Sequence, residues 1–404
     1  MPPIKVAFIV QRYGLEVNGG AEFHCRQVAE HMAKYWNIEI LTTCAIDYVT
    51  WQNAYPPGPT AVNGVRVRRF PVDRPRNMSS FNRLSAKVFA GGVDQDTELA
   101  WMRAQGPFSS RLLSYLQQYR SAYDVYIFFT YLYASTFFSM PLVAERSALV
   151  PTAHDEPPIY LGLFNALFRL PQALIFNTPE EQNFVNNRFG TATVPQDVIG
   201  VGIEVPSEVS AAQFLNKHHE KLRNHDFILY VGRIDTAKGC PQLFSYFAQF
   251  RKDVPGYPLK LVLLGSAIME IPAHPDILYL GFVSEQEKFD AIAAAKLVIL
   301  PSPYESLSLV ALEAWRIGTP VLATGACPVL MHQCIRSNGG LWYDNYVEFR
   351  EALCFLLHDL RLRRRLGAAG CTFVQQCYSW PVVESKYLEL INRIHSPGVL
   401  VPDR

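Results

Sequence analysis

The sequence predicts an α/β protein with two doubly wound parallel-sheet domains, and three observations support this prediction. Short runs of Val, Ile and Leu alternate with helical patterns along most of the chain. The alternation occurs once in each half, and a polar segment at residues 203–226 separates the halves. The chain has 404 residues, of which 49% are hydrophobic and 18% charged, so each half can bury a core of its own.

The first half begins with a βαβ pattern. An apolar run at residues 6–10 predicts a strand, the Gly19-Gly20 pair precedes an amphipathic helix, and residues 38–43 predict the next strand. The sequence VNGVRVRRF, at residues 62–70, predicts a hairpin in a segment rich in Pro and Arg. Further strands are expected in DVYIFF, ALVPTAH, ALIFNT and DVIGVG.

The second half repeats the alternation more regularly. Strands are predicted in FILYVGR, LKLVLLGS, ILYLGFVS, LVILPS and PVLATGA, with a helix after most of them. Strands that are almost entirely apolar belong to parallel sheets covered on both faces. Ligands of such sheets bind beyond the carboxyl ends of the strands, so we expect the functional residues there, in a cleft between two facing domains.

The charge balance and the cysteines exclude several classes of function. Thirty-seven basic and 36 acidic residues give a net charge of +1, which is not expected of a nucleic-acid-binding protein. The eight cysteines form no CxxC pair and lack metal-ligand spacing, so we interpret them as reduced thiols of a cytoplasmic protein. The N-terminal apolar run has no small-residue cleavage site and predicts a strand, not a signal peptide.

One segment has the length of a membrane span. Residues 125–144 carry no charge, and 20 residues suffice to cross a bilayer. The segment contains Thr, Ser, Tyr and Pro and divides into a strand, a turn and a helix, so a buried α/β segment is the favoured interpretation. The composition remains compatible with peripheral contact at the inner face of a membrane.

Polar residues follow the strands of the second half. Arg233 and Lys238 come directly after FILYVG, where a planar guanidinium and a compact ammonium suit a diphosphate. Glu305 follows LVILPS, and Glu313 is expected two turns into the next helix. Their carboxylates can accept hydrogen bonds from sugar hydroxyls. Backbone amides at the start of that helix can hold an anion, and we expect these at Ser306, Leu307, Ser308, Leu309 and Val310.

Two positions in the first half are weaker candidates. Gly19 and Gly20 lie at the positive end of the first helix, where glycine lets a ligand approach the backbone. His154 ends a predicted strand beside Asp155 and Glu156. A glycine pair or a single histidine is more often structural than functional.

Together these motifs resemble the retaining glycosyltransferases of family 4, which have the GT-B fold of two facing Rossmann-like domains. The resemblance spans nearly the whole chain and is strongest in the second half. It is carried, in order, by NGGAEFH, TAHD, VGRIDTAKG, LLG, LGFVS, ESLSLVALEA, GTPVLAT and YSW. It implies an acceptor-side domain at residues 1–202 and a donor-binding domain at 203–380, with a helix at about 381–396 returning to the first domain.

The resemblance also implies a role for each candidate. Arg233 and Lys238 are similar to the pair that binds the donor diphosphate, and Glu305 to the carboxylate that binds sugar hydroxyls. Glu313 is similar to the ribose contact and His154 to a residue that holds a sugar hydroxyl. The remaining donor contacts are implied at Gly19, Gly20, Gly232, the backbone of Val283, and the helix-start residues 306–310.

Two departures from the family pattern stand out. The family often has Gly where this chain has Ser308, which affects how closely the backbone can approach the sugar. It often has Gly-His where this chain has Trp36-Asn37, a difference we interpret as structural.

No cofactor or metal is expected. Asp94-Gln95-Asp96 has the form of the DxD motif of metal-dependent transferases, but no apolar strand leads into it. Arg233 and Lys238, together with the helix amides, can stabilise a leaving diphosphate without a metal.

The predicted partners are a UDP-hexose donor, with UDP-glucose the first choice, and a saccharide or lipid-linked glycan acceptor. Three alternatives remain open: a GT-B sugar-nucleotide epimerase, a phosphorylase, and a sugar-nucleotide-binding protein without catalysis.

Overall fold

The computed structural model describes residues 3–17 and 19–395. Asn18 of the NGGAEFH motif and residue 396, the predicted end of the terminal helix, lie outside these ranges. The described residues form two compact units. One contains the residues up to Gly202 and those from Trp380 onward, and the other extends from Ile203 to Ser379.

In the described part of the first unit, the strands are mostly buried and belong to one sheet. They are β1 (Lys5–Ile9), β2 (Asn37–Thr43), β3 (Gly58–Val62), β4 (Val65–Phe70), β5 (Val125–Phe129), β6 (Ser147–Val150), β7 (Ala173–Phe176) and β8 (Gln196–Val198). Their order is β3-β4-β2-β1-β5-β6-β7-β8. The β3–β4 pair is antiparallel and is the predicted hairpin, with Asn63 and Gly64 at its turn; the other pairs are parallel.

The helices of this unit connect the strands in the manner expected of a parallel sheet. They are α1 (Gly20–Met32), α2 (Met78–Phe89), α3 (Gln95–Gln105), α4 (Ser110–Gln118), α5 (Ala134–Ser139) and α6 (Pro179–Phe189), with single 3₁₀ turns near residues 140–146 and 157–169. The uncharged segment forms β5, a turn and α5, which confirms the predicted division. No helix among residues 3–17 and 19–395 is long and apolar enough to span a membrane.

The second unit has a parallel sheet in its described residues. Its strands are β9 (Asp226–Val231), β10 (Leu259–Leu264), β11 (Ile277–Gly281), β12 (Val298–Leu300), β13 (Val321–Thr324) and β14 (Gly340–Tyr343), in the order β11-β10-β9-β12-β13-β14. Its helices are α7 (Ala211–Lys217), α8 (His219–Leu222), α9 (Cys240–Asp253), α10 (Glu285–Ala294), α11 (Leu309–Arg316), α12 (Pro328–Ser337), α13 (Tyr346–His358) and α14 (Leu360–Cys377), with a 3₁₀ turn at Thr236–Lys238.

The last described helix, α15 (Trp380–His395), belongs to the first unit and packs on the end of α1. The Trp380 and His31 rings are stacked with their centroids 3.5 Å apart. Glu384 accepts a hydrogen bond from the Tyr35 hydroxyl at 3.0 Å and lies 2.8 Å from the Lys34 ammonium. These contacts fix the helix on the unit that contains the chain's first strand.

The strand orders identify where a ligand would bind in each sheet. In the first sheet the chain proceeds from β1 to β2 on one side and later returns to β5 on the other, so the order reverses between β1 and β5. In the second sheet the corresponding reversal lies between β9 and β12. In open α/β sheets the crevice at such a reversal, beyond the carboxyl ends of the strands, is where ligands bind.

Candidate functional site

The reversal point of the second sheet brings together three residues selected from the sequence. Arg233 and Lys238 follow β9, and Glu305 follows β12. The Lys238 ammonium lies 2.6 Å from a carboxylate oxygen of Glu305, although the residues are 67 positions apart in the sequence. A cation and a carboxylate therefore meet at the crevice, and both side chains are partly exposed, 34% and 19% respectively.

A glycine allows this approach. Gly239, directly after Lys238, has a left-handed backbone with φ +74°, and a Cβ at this position would lie 2.2 Å from the carbonyl oxygen of Pro301. Such a distance is far below van der Waals contact, and the atom is a backbone oxygen directly after β12, which cannot rotate away as the end of a flexible side chain could. The absent side chain thus lets the turn before α9 lie against the end of β12.

Arg233 is oriented by a carboxylate two residues later. Its Nε donates to Oδ2 of Asp235 at 2.7 Å, and its backbone carbonyl accepts a hydrogen bond from the Tyr230 hydroxyl at 2.7 Å. Burial raises the pKa of Tyr230 well above its ordinary value, and the negative charges of Glu305 and Asp235 also act on it. Tyr230 therefore lies among the residues of both strand ends.

Glu313 is buried in α11, and it lies closer to the start of that helix than predicted. Because α11 begins at Leu309, Glu313 is one turn into the helix, not two. The preceding residues form a loop because Ser308 has a left-handed backbone, with φ +63° and ψ +85°, which ends the helical geometry at that point. The predicted sites at Ser306 and Leu307 are therefore loop residues, and Leu309 and Val310 begin the helix.

The carboxylate of Glu313 has one satisfied and one unsatisfied oxygen. Its Oε1 lies 2.7 Å from the Lys288 ammonium of α10, whereas Oε2 is buried without a hydrogen-bond partner among the described residues. Burial raises the pKa of Glu313 and the Lys288 charge opposes that effect. Buried polar atoms are almost always hydrogen-bonded, so an orphaned carboxylate oxygen is a candidate ligand contact.

The other predicted donor contacts lie at strand ends or at the helix start. Gly232 is the first residue after β9, and Val283 lies between β11 and α10, next to Phe282, whose side chain is 69% exposed. Ser308 makes no side-chain capping hydrogen bond to α11. The structure thus collects the second-half candidates along one edge of the sheet.

Of the first-half candidates, Gly19 and Gly20 follow β1 at the reversal point of the first sheet, and His154 lies one strand away from that point. Gly19 precedes α1, and a Cβ at Gly20 would meet no atom within 4 Å, so the backbone there is open to a ligand. His154 follows β6, the neighbour of β5. Its Nδ1 lies 3.5 Å from Oε1 of Glu156.

Sequence reasoning missed several residues of both sites. Arg12 and Glu22 form a buried ion pair beside Gly19, with 2.8 Å between Nε and Oε1. Lys288 and Asp235 orient two of the predicted residues. For Arg12 and Asp235, the available signal was a charged residue within a few positions of a predicted strand end. Lys288 could be found only from the way in which α10 and α11 pack, because its contact with Glu313 joins these two helices.

The DxD-like triplet has a structural role. Asp94 caps α3 by accepting a hydrogen bond from the Thr97 amide at 2.8 Å, and Asp96 lies in the first turn of the same helix. Acidic residues at these positions stabilise a helix start. Among residues 3–17 and 19–395, no group of three His, Cys, Asp or Glu side chains is arranged to hold a metal ion.

Comparison with known proteins gives a consistent assignment. Residues 213–372 match the family described as glycosyl transferases group 1. A D-inositol 3-phosphate glycosyltransferase of Paenarthrobacter aurescens is 28% identical over 250 residues, which cover 57% of this chain and 59% of the relative. An uncharacterised glycosyltransferase of Methanocaldococcus jannaschii is 23% identical over 93% of this chain and 95% of its own. The match with the first relative thus spans little more than half of its length.

Solved structures of similar fold cover nearly the whole chain. Sucrose-phosphate synthase from Thermosynechococcus elongatus aligns with a TM-score of 0.73 at 17% identity, over 98% of this chain and all of the other. HepE from Anabaena, in complex with UDP and glucose, aligns with a TM-score of 0.68 at 16% identity, over 96% and 99%. The predicted fold class of two Rossmann-like domains is confirmed. This chain therefore has the GT-B fold, and its residues 213–372 are similar to the glycosyl transferases group 1.

Proposed function

We propose that this protein transfers a hexose from a nucleoside-diphosphate sugar to a hydroxyl of a saccharide or lipid-linked glycan, with retention of configuration at the anomeric carbon. The observation that carries the proposal is the 2.6 Å contact between Lys238 and Glu305 at the reversal point of the second sheet. A cation for the phosphates and a carboxylate for the sugar hydroxyls are adjacent there, next to the start of α11.

The diphosphate would be bound by Arg233 and Lys238. Asp235 holds the Nε of Arg233 and thereby fixes the plane of a guanidinium whose terminal amino groups suit two phosphate oxygens. The Lys238 ammonium has three N–H donors and uses one of them in its hydrogen bond to Glu305. Both cations would stabilise the negative charge that develops on the departing nucleotide, the largest contribution expected in such a site.

Two carboxylates would recognise the sugars of the donor. Glu305 would accept hydrogen bonds from hydroxyls of the transferred hexose while its contact with Lys238 holds the carboxylate in place. Glu313 would use its orphaned Oε2 for a ribose hydroxyl after a small side-chain adjustment, since that oxygen is enclosed in this structure. The backbone of Val283 would contact the base. Gly19, Gly20 and His154 are proposed as further donor contacts.

The reaction would proceed at the front face of the donor through an oxocarbenium-like transition state. The bond between the anomeric carbon and the phosphate oxygen breaks, the acceptor oxygen bonds to the same face, and the acceptor proton passes to the leaving phosphate. Fixed cations and helix amides supply the charge stabilisation, so we propose that no metal is required.

UDP-glucose is the proposed donor. The support is that HepE was solved with UDP and glucose, and that another structural neighbour, of TM-score 0.71 and 11% identity, is named a UDP-forming trehalose-phosphate synthase. The acceptor is proposed only as a class of saccharide or lipid-linked saccharide. The enzyme would act in the cytoplasm, at the inner membrane face if the acceptor is lipid-linked.

Product analysis tests the proposal. Calorimetry against a panel of UDP, GDP and ADP sugars selects the donor, and that donor is then incubated with an acceptor library in excess EDTA. We expect release of free nucleoside diphosphate and a glycoside with the donor's anomeric configuration. An epimerised sugar nucleotide or a sugar phosphate as product would instead identify an epimerase or a phosphorylase. Tight binding without transfer or hydrolysis would identify a binding protein.

A further inference from the structure

Asp235 lies in the sequence between the two cations of the candidate donor site, and its two carboxylate oxygens make different contacts. Oδ2 accepts a hydrogen bond from Nε of Arg233 at 2.7 Å. Oδ1 accepts the backbone amide of Ala237 at 2.7 Å, inside the 3₁₀ turn Thr236–Lys238. The first contact orients a guanidinium, whereas the second holds the backbone that carries the Lys238 ammonium.

The 3₁₀ turn depends on Asp235 through its backbone as well. Asp235 is the residue that precedes the turn, and its carbonyl oxygen accepts the amide of Lys238 at 3.2 Å. So short a turn has few hydrogen bonds of its own, and the side-chain cap is a large part of what stabilises it. Loss of the carboxylate would therefore loosen the backbone from which the Lys238 side chain extends.

The backbone that carries the Asp235 carboxylate is fixed by other contacts. Ile234 is fully buried, and its amide and carbonyl form hydrogen bonds of 2.9 and 3.0 Å with the segment at residues 266–268. The Tyr230 hydroxyl donates to the carbonyl oxygen of Arg233 at 2.7 Å. Because none of these bonds involves the carboxylate, its removal should release the two cations without unfolding the end of β9.

We infer that Asp235 is a positioning residue that sets Arg233 and Lys238 at one fixed spacing, so that both meet the same diphosphate. The diphosphate as ligand rests on the proposed function, whereas the two contacts of the carboxylate do not. Coulomb's law alone gives Asp235 the opposite effect, since a negative charge beside the site repels an anion and its removal should strengthen binding. Positioning and repulsion therefore predict opposite signs for the same substitution.

Calorimetric titration of the full-length protein with UDP, and separately with uridine, tests the inference. Uridine lacks the phosphates, so the ratio of the two affinities reports on the cations. We expect Asp235→Ala to weaken UDP binding at least about tenfold, the lower end of what a hydrogen bond to a charged group contributes, and to leave uridine binding unchanged. Equal losses for both ligands, or UDP binding as tight as in the wild type or tighter, would overturn the inference.

Asp235→Asn separates the two contacts of the carboxylate. An amide has a single oxygen, and asparagine caps a helix start as well as aspartate does, so the bond to the Ala237 amide should remain and that to Arg233 should be lost. In an Arg233→Ala background, Asp235→Asn should therefore cost no further UDP affinity. Asp235→Ala should still cost a few-fold there, because the turn that carries Lys238 is released. A further loss in both double variants, or in neither, would contradict the inference.

Asp359→Ala is the matched control. Asp359 caps α14 in the same unit by accepting the amide of Leu362 at 2.9 Å, but it is exposed and follows a helix, not a strand of the sheet. The variant loses a cap of the same kind, and the ratio of UDP to uridine affinity should remain that of the wild type.

Hydrogen exchange followed by nuclear magnetic resonance measures both contacts without a nucleotide. The Ala237 amide should be protected in the wild type and in Asp235→Asn, and should exchange rapidly in Asp235→Ala. The Nε–H signal of Arg233, identified by its absence from Arg233→Ala, should exchange faster in both variants. If neither exchange rate changes, the inference is wrong even where UDP binds more weakly. If both change as expected but the wild type binds no UDP, the proposed donor is wrong and the assignment of the two contacts stands.

Discussion

Replacement of Gly239 by Ala tests whether the close approach of two strand ends creates the candidate donor site. The added Cβ would lie 2.2 Å from the Pro301 carbonyl oxygen, at a position with φ +74°. A left-handed backbone costs a residue with a side chain roughly 1–2 kcal/mol. Overpacking against a rigid neighbour adds about 1–3 kcal/mol. The free energy of unfolding of the second unit should therefore fall by about 2–5 kcal/mol.

Thermal unfolding of the full chain measures this change. For a domain of roughly 150–250 residues each 1 kcal/mol lowers Tm by about 2–4 °C, so the transition of the second unit should move down by roughly 4–20 °C. The variant should also bind UDP more weakly, because the turn that carries Lys238 must move away from Glu305. Gly256→Ala is the matched control, since a Cβ there would meet no atom within 4 Å. If Gly239→Ala unfolds at the same temperature as this control, the steric argument is wrong.

Three further predictions follow from buried or strained groups. Ser308→Gly should raise the free energy of unfolding, measured in urea, by about 0.5–1 kcal/mol. The reason is that relief of the left-handed backbone at φ +63° exceeds the entropy cost of glycine. A decrease of similar size would contradict this prediction. Lys288→Met should lower the free energy of unfolding by about 1–3 kcal/mol, because the buried Glu313 carboxylate loses its cation. The double variant Lys288→Met with Glu313→Gln should recover part of this loss. If it recovers none, the pairing of the two residues is refuted. Burial raises the pKa of Glu181 from 4.5 to about 8, so the folded state binds this proton more tightly than the unfolded state does. As the pH rises from 4.5 to about 8, the wild type should therefore lose stability relative to Glu181→Gln. A stability difference independent of pH would contradict the assignment for Glu181.

The sequence predicted the fold well because its signals are local. The apolar runs of the parallel strands and the Asn-Gly turn of the β3–β4 hairpin depend on residues that are adjacent in the chain. The uncharged segment at residues 125–144 was resolved correctly because Pro and Tyr interrupt its apolar pattern. Strand ends then indicated where to look for Arg233 and Glu305.

The contacts of the candidate sites depend on tertiary packing and were not predictable in this way. The pairing of Lys238 with Glu305 follows from β9 and β12 being neighbours, an order that the sequence does not encode locally. The start of α11 was placed too early because nothing in the sequence indicates that Ser308 takes a left-handed backbone. Lys288 was missed because its contact with Glu313 joins two different helices.

The rate of UDP release from the donor in the presence of acceptor, compared among the wild type, Arg233→Ala and Lys238→Ala, tests the central claim most directly. We predict that each variant is slower by at least about 10²-fold, the scale of removing one preorganised donor from a developing charge. Lys252→Ala, an exposed cation in the last turn of α9, should retain the wild-type rate. Near wild-type turnover in both Arg233→Ala and Lys238→Ala would contradict the proposed diphosphate site.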